Sequence, residues 1–284
     1  MPDIEQVTGP LSRHGECPVW SDGWGGLHWI DLTAGDVLAL DPDGGVRRWH
    51  VAPQVTAIRP RRNGGLVLAL ERSFALADGW GAPLRAFAPV WPEEDVRFND
   101  GGCDPQGNFL CGSMGTDYAA GRGALFRLAP DGSVRRLFGG LGVSNGLDWT
   151  VDGGTAYLAD TLAGTIDAFD HDAEHGLHNR RPFVRIDTDR GMPDGLAVDT
   201  EGYVWVALWS GGAVHRYAPS GRLDAVLEFG VKRVSACTFG GPRLDQLYVT
   251  TIGTDAAQHE VGLAGAVFKV DVGVRGQPAR TFAG

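Results

Sequence analysis

Asn99-Asp100-Gly101-Gly102-Cys103-Asp104-Pro105-Gln106-Gly107-Asn108-Phe109-Leu110-Cys111-Gly112 is the stretch that decides the fold, because its pattern returns along the chain. A polar residue and glycine lead through an Asp-Pro-Gln-Gly turn into a short apolar run, which reads as two strands joined by a tight turn. Asn145-Gly146-Leu147 leads in the same way through Asp152-Gly153-Gly154 to Ala156-Tyr157-Leu158-Ala159. Asp194-Gly195-Leu196 leads through Thr200-Glu201-Gly202 to Val204-Trp205-Val206-Ala207, and Glu16-Cys17-Pro18 through Asp22-Gly23 to Leu27-His28-Trp29-Ile30. Two weaker copies run from Ala57 through Asn63-Gly64-Gly65 to Leu66-Val67-Leu68, and from Ala236 through Gly240-Gly241-Pro242 to Gln246-Leu247-Tyr248-Val249.

The units begin near residues 15, 56, 98, 144, 193 and 235, a period of about 40 to 50 residues, the length of one four-stranded propeller blade. Turns recur in the second half of units at Asp41-Pro42-Asp43-Gly44, Pro130-Asp131-Gly132 and Pro219-Ser220-Gly221. Each is expected between a third and a fourth strand. No long amphipathic helical period appears, so alternating strands and helices are excluded. The expectation is an all-β fold, a six-bladed β-propeller of four-stranded blades forming a single domain over residues 1–284. Ile4 to Pro10 should add the outer strand of the last blade and close the ring, which removes free edges. The 43 glycines among 284 residues fit a chain of many turns, and they lack the three-residue period of collagen.

The formal net charge of −10 repels phosphate backbones and argues against a nucleic-acid partner. The basic clusters Arg47-Arg48 and Arg59-Pro60-Arg61-Arg62 read as solvated faces. No apolar run reaches the ~18 to 20 residues of a membrane helix, and no leader peptide is visible at Met1-Pro2-Asp3-Ile4-Glu5. Cys17, Cys103, Cys111 and Cys237 form no C-x-x-C pair, so a cytoplasmic protein with free thiols is expected. A Cys103–Cys111 disulfide across the Gly107 turn is the alternative.

The first strand of each propeller blade lines the central channel. Asn99 stands as far from Gly107 as Asn145 from Gly153 and Asp194 from Gly202, and Glu16 lies one place nearer Gly23. Ala57 and Ala236 fall at this point in the other two units. Four oxygen-bearing side chains from four blades should therefore converge at one channel mouth. Two carboxylates buried together repel and lose hydration, a cost that a divalent cation removes. Carboxylate and amide oxygens form a hard ligand set that favours Ca²⁺, Mg²⁺ or Mn²⁺.

With these motifs in hand, the chain resembles the regucalcin–gluconolactonase family of six-bladed propellers. The resemblance runs from Gly15-Glu16-Cys17-Pro18-Val19-Trp20 through Arg97-Phe98-Asn99-Asp100-Gly101, Asn145-Gly146-Leu147-Asp148-Trp149 and Pro193-Asp194-Gly195-Leu196 to Phe239-Gly240-Gly241 and beyond. Two departures stand out: Cys17 replaces a usual glycine, and Val234-Ser235 a common Pro-Thr pair. The resemblance implies a metal-dependent lactonase of sugar-acid lactones, with metal ligands Glu16, Asn145 and Asp194 and substrate contacts Arg97, Asn99 and Asp117. It also widens the metal to Ca²⁺, Zn²⁺, Mn²⁺, Mg²⁺ or Fe²⁺. The partner expected is a small sugar lactone, on a monomer or weak oligomer.

In the mechanism this implies, the metal polarises the lactone carbonyl and Asp194 assists the attacking water, with a water ionised directly by the metal as the competing base. For Arg97 a surface ion pair with Glu94 or Asp95 is the competing role. For Asp117 it is a solvated loop. His171, His175 and His178 read as a polar loop, and Arg181 stands where a calcium-binding helix–loop–helix motif needs its last glutamate. The tryptophans read as blade packing, with Trp20 or Trp209 candidates for the channel. Loops Met114 to Gly123 and Ile252 to Leu263 are expected to shape the pocket. A propeller phosphotriesterase-like hydrolase and a non-catalytic calcium-binding propeller are the alternative functions.

Overall fold

A computed structural model describes residues 3–284 of the chain, and the first two residues of the expected domain lie outside the described residues. Its strands are β1 (Ile4–Gln6), β2 (Gly15–Ser21), β3 (Gly26–Asp31), β4 (Asp36–Leu40), β5 (Val46–His50), β6 (Val55–Pro60), β7 (Leu66–Leu70), β8 (Phe74–Ala77), β9 (Arg85–Ala86), β10 (Val96–Cys103), β11 (Phe109–Gly115) and β12 (Gly123–Leu128). The second half continues with β13 (Val134–Leu141), β14 (Ser144–Trp149), β15 (Thr155–Asp160), β16 (Thr165–Asp172), β17 (Gly176–Arg185), β18 (Met192–Val198), β19 (Val204–Trp209), β20 (Ala213–Tyr217), β21 (Leu223–Glu228), β22 (Val234–Gly240), β23 (Gln246–Thr251) and β24 (Val267–Asp271). They form six four-stranded antiparallel sheets, five of consecutive strands and a sixth in the order β1-β24-β23-β22. Each innermost strand packs against that of the next blade, and β22 packs against β2, so the six-bladed propeller is closed. The first-to-last closure lies where the sequence placed it, with Ile4 opposite Val270 and Gln6 opposite Phe268.

The three second-half turns each join a third strand to a fourth, at β4–β5, β12–β13 and β20–β21. Apolar residues interleave between neighbouring blades. Phe74, Phe98 and Phe109 are wholly buried between the second and third blades and form a cluster of tilted and edge-to-face rings with Trp91 and Phe126. All four cysteines are free and buried. Cys103 sits opposite Phe109 and Cys111 opposite Gly101, so the two thiols do not face one another across the hairpin.

The histidine segment departs from its expected form. It is not a loop but the β16–β17 hairpin, with His171 on one strand opposite Leu177, and His178 opposite Asp170. His175 caps the turn by hydrogen bonding to Asp172. Only the tip of the hairpin is solvated, with Asp172, Glu174 and His175 exposed, whereas His171 is buried with its Nδ1 2.9 Å from the Gly153 carbonyl. A run of polar residues does not distinguish such a strand end from a loop.

The C-terminal segment crosses the end of the channel away from Glu16, Asn145 and Asp194. Gly276 bridges to Asp199, Gln277 donates to the carbonyls of Trp149 and Val198, Arg280 to that of Thr150, and the Ala283 N–H to Gly107. Phe282 is buried and pairs with Arg61. This strap ties four blades together and carries no sequence pattern that announces it.

Candidate active site

Every innermost strand loses register with its neighbour at the same height. The shifts fall between Glu16 and Val19, Val55 and Ala57, Phe98 and Gly101, Ser144 and Leu147, Pro193 and Leu196, and Val234 and Ala236. A bulge leaves one residue unpaired, bends the strand and re-aims a side chain. Asn99, Asn145 and Asp194 lie within these bulges, and Glu16 lies at the leading edge of its own. In the other two blades the bulge holds Thr56 and Ser235, which corrects the alignment that put Ala57 and Ala236 there. Their hydroxyls are taken up by backbone carbonyls, Thr56 by Ala69 and Ser235 by Gly15.

Glycine follows the ligand candidates for a steric reason. A Cβ at Gly146 would lie 2.3 Å from the Leu196 nitrogen and 2.8 Å from the Asp194 carbonyl oxygen. One at Gly195 would lie 2.4 Å from the Ala236 Cβ. The innermost strands of the fourth, fifth and sixth blades approach this closely only because these positions lack side chains. Cys17 shows the converse. Its φ of 46° is left-handed, the region that a glycine adopts freely and a side chain resists.

Glu16, Asn99, Asn145 and Asp194 all line one cavity of about 520 Å³ at the channel mouth. Arg97, Arg233, His14, Tyr118, Thr161 and Trp209 share its walls, with Met114, Leu162, Met192 and Ile252 as apolar surface. The two loops expected to shape the pocket do so, through Met114 and Tyr118 on one side and Ile252, Thr254 and Asp255 on the other. Trp209 is in the wall, whereas Trp20 stacks on Tyr248 away from it. A chamber of about 70 Å³ lies at the strap end of the channel, lined by Arg59, Asp148, Cys237 and Arg280 among others.

The four central side chains are nearly inaccessible, at 7% for Glu16, 8% for Asn99 and 4% each for Asn145 and Asp194. Asn99 is engaged at both ends of its amide, the nitrogen donating to the Ser144 carbonyl at 3.1 Å and the oxygen accepting from Arg97 at 2.9 Å, which leaves one N–H and one lone pair for a ligand. Asn145 donates to the Thr161 hydroxyl at 3.0 Å. Its Oδ1 has no partner among the described residues, and neither has Oδ1 of Asp194. Buried oxygens left unpaired are costly. Glu16 accepts one hydrogen bond, from the Cys17 N–H.

Both carboxyls resist ionisation. Burial, then the Asp100 carboxylate, push the Glu16 pKa from 4.5 up to about 8. Asp194 is raised well above the usual carboxylate range by burial, then by Glu16 and Asp100. The two unpartnered oxygens, one on Asn145 and one on the Asp194 carboxyl itself, lie in the same cavity as the Glu16 carboxyl, a donor set of the kind that a dication satisfies. Among the described residues no cluster of three or more His, Cys, Asp or Glu side chains could hold a metal. The set here has two carboxylates and amide oxygen, so it is not of that kind. His14 is held neutral, its pKa lowered to about 4 by burial and then by Arg97, with Arg233 adding to the effect.

Arg97 does not make the surface ion pair: Asp95 is bound by Arg122 at 2.6 Å instead. Asp117 is not brought to the cavity wall. It accepts from the Ala119 N–H and pairs with Arg122 at 3.3 Å, and it is its neighbour Tyr118 that lines the cavity. The basic cluster near residue 60 is also not a solvated face. Arg59 turns inward, donating to the Cys17 sulfur at 2.8 Å and the Ile58 carbonyl at 2.7 Å, while Arg61 binds the C-terminal Gly284 carbonyl. Local composition cannot show that a strand edge faces a channel. His14, Tyr118 and Arg233 were also missed. They precede or lie between strands, where the repeat alignment gives no register.

A six-bladed propeller with an acidic, amide-rich centre at one channel mouth defines the class. Residues 14–253 match the SMP-30/gluconolactonase/LRE-like family, and the chain belongs to it. The chain is 37% identical to regucalcin of Danio rerio over 290 residues, 99% of this chain and 98% of that one. It is 35% identical to the pentonolactonase XacC of Haloferax volcanii over 286 residues, covering 97% and 96% of the two chains. A solved luciferin-regenerating enzyme superposes with a TM-score of 0.90 at 27% identity, over the full length of both chains.

Proposed function

We propose that this protein hydrolyses a sugar-acid lactone to the open-chain sugar acid, using a divalent cation. The observation that carries the reading is the pair of unpartnered oxygens, Asn145 Oδ1 and Asp194 Oδ1, buried beside Glu16 in a cavity that also holds Arg97 and Asn99. The likeness to a pentonolactonase over nearly the whole chain supports it. Glu16, Asn145 and Asp194 would hold the cation, and the oxygen-rich set favours Ca²⁺ among the divalent ions. When bound, the cation supplies Lewis-acid polarisation of the lactone carbonyl.

The chain's own residues do the rest. Arg97 and Asn99, locked together at 2.9 Å, present donors and an acceptor to sugar hydroxyls and orient the ring. Met114, Leu162 and Ile252 limit the water that reaches the ring. Asp194 takes a proton from the attacking water as its oxygen adds to the carbonyl carbon. The ring C–O bond then breaks, and the proton passes to the departing ring oxygen, leaving acid and alcohol on one chain. Asp117, bound to Arg122 and the Ala119 N–H, secures the loop that places Tyr118 over the cavity.

The test is Asp194→Ala. Lactone opening, followed by acid release above the spontaneous rate, is expected to fall to background while the circular dichroism spectrum stays that of the parent. Full turnover in this variant would falsify the mechanism. A protein that binds calcium but opens no lactone would instead be a non-catalytic calcium-binding propeller, and a phosphotriester assayed alongside separates the other hydrolase.

A further inference from the structure

We propose that the lactone taken by this cavity carries an anionic substituent, a carboxylate or a phosphate, and that Arg233 is the residue that recognises it. The proposal deepens the lactonase reading and rests on it. Two guanidinium groups line the cavity, from Arg97 and Arg233. Arg97 is tied to the Phe98 carbonyl and to Asn99. Arg233 is placed differently. Its backbone carbonyl accepts from Ile252 at 3.0 Å, which pins it at the entrance of the sixth blade's innermost strand. Its side chain is only 21% exposed, yet among the described residues it makes one hydrogen bond, to the Asp255 carbonyl at 2.7 Å. The Asp255 carboxylate is 3.8 Å away and 85% exposed, and an ion pair so solvated is worth little. Of five guanidinium N–H donors, four are left without an acceptor among the described residues.

The charges point the same way. Among the described residues, Glu16 and Asp194 are the only other charged groups in the wall apart from Asp255 at the rim, and both are assigned to the cation. A dication cancels them and leaves two guanidinium charges against one exposed carboxylate. A positive mouth on a chain of net charge −10 selects and steers an anion. A neutral polyhydroxylated lactone can accept hydrogen bonds from Arg233 but cannot pair its charge, whereas carboxylate and phosphate match the planar fork with two parallel bonds.

The experiment compares three substrates of one carbon skeleton: a hexonolactone, its 6-phosphate, and the lactone of the corresponding aldaric acid. The parent is expected to show kcat/KM at least tenfold higher for one of the two charged lactones, and which one identifies the anion. Arg233→Gln is expected to lower that charged-to-neutral ratio by tenfold or more, chiefly through KM. A ratio of one or less for both charged lactones in the parent, or a ratio that Arg233→Gln leaves unmoved, overturns the proposal. If no lactone is opened at all, the lactonase reading has failed. The recognition by Arg233 is then judged separately, by whether the aldarate raises the melting temperature more than the aldonate in the parent and not in Arg233→Gln.

Discussion

Replacing Glu16 by glutamine keeps the shape of the side chain and removes one of two buried carboxyls. In the parent the Glu16 pKa stands at about 8 against 4.5 for an unburied glutamate. A carboxyl whose folded pKa lies above its unfolded value binds its proton more tightly in the fold. Its contribution to stability is complete below the unfolded value and is lost as pH rises through the folded one. Between pH 6.5 and 8 this loss is about 2 kcal/mol for Glu16 alone, and Asp194 shifts in the same direction. His14, His28 and His215, with pKa values near 4, act in the opposite sense but only below about pH 6.5, and they are common to both proteins. The metal-free Glu16→Gln protein should therefore gain about 2 kcal/mol on its parent across this interval. The same proton competes with a cation, so the calcium affinity of the parent should rise about fifteenfold from pH 6.5 to 8. Urea unfolding of chelator-treated proteins, read by tryptophan fluorescence, measures the first quantity, and calcium titration calorimetry the second. Parallel stability curves for parent and variant, or a calcium affinity independent of pH, would refute the assignment of Glu16 as a buried carboxyl that ionises only with its cation.

Other outcomes follow from the same contacts. Gly146→Ala places a Cβ against the backbone of the Asp194 strand, so cation affinity should fall by about tenfold or more, seen by calorimetry, as the two ligand strands are forced apart. Asp199 is wholly buried and accepts from Arg216 at 2.8 Å, Trp205 Nε1 and two backbone N–H groups; Asp199→Ala should cost about 3 kcal/mol or more in urea unfolding by leaving the indole and the two backbone donors without an acceptor, whereas Arg216 keeps Glu201 at 2.7 Å and Asp224 at 3.0 Å. Removing residues 276–284 takes away the strap contacts of Gln277, Arg280 and Phe282 and should lower the melting temperature by about 10 °C or more, read by scanning calorimetry.

The architecture was legible because a propeller repeats. Turn residues at fixed offsets and apolar runs of strand length recur in every unit, and those features are local. The convergence of Glu16, Asn99, Asn145 and Asp194 was legible for the same reason, since equal offsets in equivalent blades reach equal heights in the channel. Ala57 and Ala236 were aligned at the height that Thr56 and Ser235 occupy, one residue off, because the bulge and not the turn glycine sets the register. Arg59 was read as solvated because nothing in a run of basic residues tells which one faces inward.

The sequence by itself therefore determined the number of blades, the closure by the N-terminal strand and the ring of oxygen donors. These depend on short-range periodicity that each unit carries within itself. Only the tertiary structure decided that Asn145 and Asp194 keep free oxygens while both of Asn99's amide groups are engaged, that Tyr118 and not Asp117 reaches the cavity wall, and that Arg233 holds unpaired donors there. Those facts depend on neighbours from different blades, far apart along the chain, and on the burial that removes the water which would otherwise satisfy each group.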